Sequence, residues 1–190
     1  MKNIVLITGG GKRLGSLIAK ELSKESFHIV LHYNKSEKQA LETKDEIIKN
    51  GGKIDLIRKE ITFETDAIDL ICESTNLLED MENQQFTLIN NASAFKYDQG
   101  HDFTENILDE HIHANFKIPA LLMKSLNNQL SEKLNGNVIN MLDAKLYGLN
   151  PDHYTYTLSK FALLGLTKVA SLSYAPKLRV NGIAPGFTLP

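Results

Sequence analysis

The chain has one cysteine in 190 residues, Cys72. A single thiol can form no intrachain disulfide and supply no multi-thiolate metal site. It has no excess of cationic side chains either: 21 Lys and Arg face 23 Asp and Glu, a formal net charge of −2. A slightly acidic chain carries no global electrostatic footprint for DNA or RNA, so no nucleic-acid partner is expected. No apolar run approaches the ~18–20 residues of a membrane span. The opening MKNIVLITGG is too short and too Gly-rich for a secretory signal, and no small-residue cleavage site follows it. Low-complexity tracts, fixed-period repeats and linkers are missing. With 42% hydrophobic and 23% charged residues, the composition is that of a folded chain rather than a disordered one. The length fits one domain, residues 1–190, burying roughly 70% of the surface its unfolded form exposes. A soluble, cytoplasmic protein is the expectation that remains.

What is present is an alternation of apolar runs and helical periodicity. Ile4 to Ile7 is a continuous apolar run stopped by Thr8-Gly9-Gly10-Gly11, the pattern of a strand buried on both faces. Leu14, Leu17, Ile18 and Leu22 then recur at helical spacing. Further strands are predicted at 27–33, 53–59, 86–89, 136–142 and 179–184. Helices are predicted over 36–50, 64–80, 103–130 and 153–174. Strands alternating with helices of this length imply parallel β-α-β units, hence an α/β, doubly wound parallel sheet of Rossmann type. The polar stretch Lys96 to Asp102 is expected as a loop beside the site.

The segment Thr8 to Gly15, TGGGKRLG, lies between the first strand and the first helix. A helix N-terminus presents unpaired N–H groups and the positive end of the dipole, which suits a pyrophosphate, and Gly lets the backbone approach it. The segment is not a Walker loop, because no Ser or Thr follows Lys12. Dinucleotide sites that prefer NAD end the second strand on an acid that accepts from the ribose 2′-hydroxyl. Here that strand ends Tyr33-Asn34-Lys35-Ser36. Lys12, Arg13, Lys35 and the Ser36 hydroxyl suit a 2′-phosphate instead, so NADP(H) is the expected cofactor.

In the helix predicted from residue 153, Tyr156 and Lys160 stand four apart and share a face. An ammonium beside a phenol is expected to lower the phenol's pKa from about 10 and make the pair a proton donor to a reduced carbonyl or imine. Alone, a Tyr-x-x-x-Lys pair is more often a surface pair. Here TGGGKRLG, NNAS (Asn90 to Ser93), YTLSK and a late APG (Ala184 to Gly186) occur in order. With these four motifs the whole chain resembles the short-chain dehydrogenase/reductase family.

The resemblance implies roles for individual residues. Tyr156 is similar to the family's acid/base tyrosine, Lys160 to the lysine that binds the nicotinamide ribose, and Asn115 to the asparagine that holds a proton-relay water. Thr8, Gly9, Leu14 and Gly15 belong to the glycine-rich turn. Asn90, Asn91 and Ala92 match the turn on the adenosine side, and Glu60-Ile61 the adenine contact. Pro185, Gly186 and Thr188 match the segment that closes over the cofactor. Two departures stand out. Arg13 replaces a glycine of the turn. Asp143, thirteen residues before Tyr156, replaces the family's catalytic serine.

Together with NNASAF and the end of the second strand, these departures resemble the pteridine reductase and dihydromonapterin reductase-like branch. That likeness implies NADPH-dependent reduction of a pterin, with Phe95 stacking the substrate and Ser93 near it, and a proton relay through Asp143, Tyr156 and Lys160. The alternatives are a short-chain carbonyl or 3-ketoacyl reductase, and a catalytically weak NADP-binding regulator. A homo-oligomer, dimer or tetramer, is also implied. Family members usually continue past the closing motif, so C-terminal elements of the fold are expected to be missing from this chain or unusually short. The pair His111 and His113 gives a metal reading no third ligand, and a lone Cys72 reads as core.

Overall fold

In the strand Ile4–Ile7 (β1), successive side chains point to opposite faces, and both faces are covered. Ile4 and Leu6 pack with Leu70, Ile71, Phe86, Leu88, Leu122 and Met123 in one core layer. Val5 and Ile7 pack with Ala19, Ile29, Ala40 and Ile47 in the other. The computed structural model describes residues 3–78, 85–130 and 136–186, and this two-sided burial holds in the central strands but not at the two edges of the sheet. The further strands are β2 (His28–Tyr33), β3 (Lys53–Arg58), β4 (Phe86–Asn90), β5 (Gly136–Met141) and β6 (Leu178–Ile183). All pair in parallel, in the order β3-β2-β1-β4-β5-β6. That is a Rossmann-type, doubly wound α/β sheet, with the chain reversing direction across the sheet between β1 and β4.

The connecting helices are α1 (Arg13–Lys24), α2 (Glu37–Lys49), α3 (Glu64–Thr75), α4 (Glu105–Ile112), α5 (Ile118–Gln129) and α6 (Tyr154–Ser173). Ala19 of α1 and Ala40 and Ile47 of α2 enter the layer of Val5. Leu70 and Ile71 of α3, Leu122, Met123 and Leu126 of α5 and Ala170 of α6 enter the layer of Leu6. None of the helices described is long and apolar enough to cross a membrane.

Two elements differ from their sequence expectation. The helix expected over 103–130 is divided by a π-turn at His113–Lys117. The wide turn sits at Asn115, whose buried side chain is bonded to the loop that follows β4. The helix expected over 64–80 ends at Thr75. There the Ser74 and Thr75 hydroxyls fold back onto the carbonyls of Leu70 and Ile71.

His32, buried in β2, fastens the first turn to the sheet. Its Nδ1 accepts from the Gly9 N–H at 3.4 Å, and its Nε2–H donates to the Lys59 carbonyl at 2.9 Å. Only the neutral ring can do both. Burial is the main reason its pKa lies below the usual value of 6.5, and the same cause lowers that of buried His111. Above that value both folded and unfolded chains hold neutral rings. Below it the unfolded chain binds protons that the folded chain refuses, so stability is lost as pH falls. Thermal melts should therefore show a Tm that is level above about pH 6.5 and declines toward pH 5. The decline should be shallower in His32→Gln. A wild-type Tm that stays level or rises over that interval would contradict the neutral assignment.

Candidate active site

The C-terminal ends of β1 and β4 face each other where the strand order reverses, and two loops meet there. The Thr8 hydroxyl donates to the Ile89 carbonyl (3.4 Å) and accepts from the N–H groups of Asn91 and Ala92, each at 3.1 Å. The Asn91 amide donates to the carbonyls of Thr8 and Gly9, at 3.0 and 3.2 Å. Gly9 has φ +61°, and a Cβ on it would lie 2.8 Å from the Ala92 Cα. Only glycine tolerates both the conformation and the contact. The N-terminus of α1 follows, starting after Lys12 with no side-chain cap. Its open N–H groups point at the crevice.

The loops that surround this helix end carry the other residues expected at a dinucleotide. A Cβ on Gly11 would lie 2.5 Å from the Ser36 Oγ, so Ser36 adjoins the glycine turn. Tyr33 is buried, its carbonyl accepting from the Lys59 N–H. Asn34 donates to the Glu60 carboxylate at 3.4 Å, and Ile61 is buried beside it. Lys12, Arg13 and Lys35 are exposed on the same side. Arg13, at the position where the family has glycine, adopts φ +52°. For a residue with a side chain, that left-handed conformation costs roughly 1–2 kcal/mol.

The other half of the site is built on α6. The Tyr156 hydroxyl donates to the Asp143 carboxylate at 2.6 Å, while the other Asp143 oxygen accepts from the Lys145 N–H at 2.8 Å. Lys160 is 4% exposed, and its ammonium donates to the Met141 carbonyl at 2.7 Å, 5.6 Å from the Tyr156 ring centroid. Burial pulls the Lys160 pKa down to about 8, against the opposing effect of Asp143. Pro185 lies alongside, its carbonyl accepting from the Ala144 N–H, and Gly186 follows it. Thr188 lies outside the described residues. The Phe95 ring stands edge-on to Tyr156 at 4.7 Å and stacks on His153 at 4.2 Å, yet remains 57% exposed.

Two expectations need correction. The Tyr–Lys spacing predicts a phenol with lowered pKa; Tyr156 is shifted upward. Burial disfavours the phenolate, and the hydroxyl points at Asp143, whose carboxylate adds to the rise. Lys160 instead points at a main-chain carbonyl. Asn115 was expected to hold a relay water, but its side chain is fully engaged. Its oxygen accepts from Ala94 N–H (2.9 Å) and Ser93 Oγ (3.0 Å), and its amide donates to Ala94 O (3.0 Å) and Ser159 Oγ (2.9 Å). It braces the Ser93–Ala94 loop against α6. Asn90, buried at the end of β4, donates to Asn140 at 2.8 Å.

Sequence reasoning missed the residues that hold Phe95 in place. Buried Asp98, His111 and Thr155 hydrogen-bond one another beneath the Phe95 loop, and His153 caps it from outside. His113 separately donates to the Ile61 carbonyl at 3.1 Å. The only forward signal was that His111 lies one helical turn before Asn115.

The sequence profile of the short chain dehydrogenases matches residues 3–190. Glucose 1-dehydrogenase 2 of Bacillus subtilis is 27% identical over 185 residues, which are 95% of this chain and 70% of that protein. Hydroxynaphthalene reductase-like protein Arp2 of Metarhizium anisopliae is 27% identical over 184 residues, 96% of this chain and 67% of the other. Among solved structures, FolM alternative dihydrofolate reductase 1 from Brucella suis, in complex with NADP, is 32% identical. It superimposes with a TM-score of 0.88 over 99% of this chain and 76% of its own. The Brucella canis protein, also complexed with NADP, is likewise 32% identical with a TM-score of 0.87, over 99% and 75% of the two chains. Sheet order, glycine turn and the Tyr156–Lys160 helix agree with this match over nearly the whole sequence, and the chain belongs to the short-chain dehydrogenase family of oxidoreductases.

Proposed function

We propose that this chain is an NADPH-dependent reductase of a pterin. The observation that carries the reading is the 2.6 Å hydrogen bond from the Tyr156 hydroxyl to Asp143, beside an exposed aromatic ring. The residues fit the cofactor. Gly9, free of a Cβ, lets the turn close on Ala92, and the uncapped end of α1 beside it forms a cradle of N–H groups for a pyrophosphate. Thr8, Leu14, Gly15 and the Asn90–Ala92 segment frame that cradle. Lys12, Arg13, Lys35 and Ser36 would take a 2′-phosphate, with Tyr33, Asn34, Glu60 and Ile61 about the adenosine. Lys160, Pro185 and Gly186 would lie at the nicotinamide end. Bound there, NADPH supplies a hydride.

The chain's own residues supply the proton and the position. Burial and the bond from its hydroxyl to Asp143 hold Tyr156 as the neutral phenol, the form that carries a proton to donate. Half-buried Asp143 touches both Tyr156 and the solvent side of the site, so it can return a proton to the phenol after each donation. A flat heterocycle that must gain a proton on a ring nitrogen suits this pair, and the open Phe95 ring offers it a stacking surface with Ser93 at the rim. The likeness to NADP-bound alternative dihydrofolate reductases supports the same substrate class.

A second reading, reduction of a ketone or interconversion of a sugar and its lactone, draws on the names of other relatives. Asp143 weighs against it, because an ionised carboxylate offers no donor to a carbonyl oxygen and repels the alkoxide that forms there.

Asp143→Ala should lower turnover of a 7,8-dihydropterin by about 10²–10⁴-fold, the usual worth of a positioned acid or base, with NADPH still bound. Turnover of a ketone but no pterin by the wild type would move the reading to the second class; cofactor binding with neither would point to a regulator. Arg13→Gly should act in two directions. Relief of the left-handed backbone should raise the Tm of the cofactor-free protein, while loss of a charged contact should raise the NADPH KM by about tenfold or more and erode preference over NADH. Equal binding of NADH and NADPH by the wild type would refute the 2′-phosphate assignment. Exposed Leu158, Phe161, Val169 and Leu172 on α6 support a homo-oligomer. Light scattering should give a mass at least twice that of one chain.

A further inference from the structure

The segment from Asn91 to Gln99 has no helix or strand to satisfy its backbone, yet it carries the Phe95 ring. It is fastened instead by three buried side chains. His111, fully buried in α4, accepts from the Lys96 N–H through Nε2 at 3.0 Å. Its Nδ1–H donates to the Thr155 hydroxyl at 2.7 Å, and that hydroxyl donates in turn to the Asp98 carboxylate. Every proton position in the chain is determined: an amide to a neutral imidazole, the imidazole to a hydroxyl, the hydroxyl to a carboxylate.

The carboxylate is itself held by α6. Asp98 is 3% exposed, and its oxygens accept from the Thr155 N–H at 3.2 and 3.4 Å, while its carbonyl accepts from the Tyr154 N–H at 3.4 Å. The helix needs this. His153, the residue before it, is in the left-handed region and gives no side-chain cap. Asp98 is therefore an N-cap delivered from 57 residues away, its charge set against the positive end of the helix dipole. The same helix end carries Tyr156 one residue beyond Thr155. Outside, His153 Nδ1–H donates to the Lys96 carbonyl at 3.0 Å and its ring stacks on Phe95.

We propose that Asp98, Thr155 and His111 are positioning residues that hold the Phe95 ring against Tyr156, and thereby set the affinity for a flat substrate stacked on the open face of Phe95 within reach of the Tyr156 hydroxyl. The proposal rests on the reading that Phe95 packs the substrate ring.

Thr155→Val keeps the shape of the side chain and removes the hydroxyl; Thr155→Ser restores it. The Val variant should raise the KM for 7,8-dihydropterin by about tenfold, the worth of one buried hydrogen bond to a charged group, with the NADPH Kd unchanged. The Ser variant should return the KM to near the wild-type value. Adding Phe95→Ala to Thr155→Val should bring little further loss, because both act through the same ring. Amide exchange gives a readout that needs no substrate. The Lys96 N–H should be protected in the wild type despite lying in an exposed loop, and exchange about tenfold faster in Thr155→Val. An unchanged KM in the Val variant, equal losses in Val and Ser, or a Lys96 amide as unprotected as its neighbours would overturn the proposal. Should the wild type reduce no pterin, the functional reading fails and the Lys96 exchange alone decides the network: faster exchange in Thr155→Val supports it, unchanged exchange removes it.

Discussion

The hydroxyl of Thr8 binds the two halves of the site together. At the end of β1 it donates to one main-chain group of β4 and accepts from two beyond it, so the glycine turn and the Asn91–Ala94 loop cannot move independently. From Ala94 the connection passes to Asn115, and from Asn115 to Ser159, which lies on α6 between Tyr156 and Lys160. A path of main chain and hydrogen bonds thus joins the glycine turn to the helix that bears Tyr156. Each link is buried or half-buried, where a lost partner leaves an unsatisfied group costing about 1–3 kcal/mol. The crevice at the strand reversal is a property of the sheet order; its exact width is set by this path.

Placement of Asp143 changes what the tyrosine can be. A phenol flanked by an ammonium alone is drawn toward phenolate, whereas a phenol whose hydroxyl faces a carboxylate is kept protonated. In this site the second effect acts together with burial. Lys160 is occupied by the Met141 carbonyl and by desolvation that weakens its own charge. On the proposed function this gives a donor that stays loaded and a neighbouring group that would reload it, which suits proton delivery to a nitrogen better than polarisation of a carbonyl.

Much of this was legible from spacing. Ile4–Ile7, the glycine turn and helices α1, α2 and α6 read correctly because burial on two faces and a 3.6-residue period leave direct marks on sequence. The four-residue separation places Tyr156 and Lys160 on one helix face, whereas Asp143 was found through the family resemblance, at the position of its catalytic serine. What spacing does not encode is the direction in which a hydroxyl points, so the sign of the Tyr156 shift was misjudged. Nor does it mark partners drawn from remote elements. His111 and Thr155 are 44 residues apart and Asp98 and Thr155 are 57 apart, and no periodicity links them. The π-turn at Asn115 was hidden for the same reason: the side chain there bonds to the loop that follows β4.

The first turn of α1 shows a local conflict that only a ligand resolves. Lys12 and Arg13 place positive charge at the positive end of the helix dipole, where each cation is unfavourable by about 0.3–1 kcal/mol. Arg13 adds a left-handed backbone that glycine would adopt without cost. Neither feature helps the chain fold, and neither charge has an ion-pair partner among the described residues. Both become favourable when an anion with several oxygens lies across the open N–H groups, since the dipole, the cations and the bent backbone then face the same charge. Strain that persists in a folded chain must be over-determined by its surroundings. Here the Thr8–Asn91 clamp and the His32 bond to Gly9 supply that determination, which is why the turn can hold its shape ahead of the ligand.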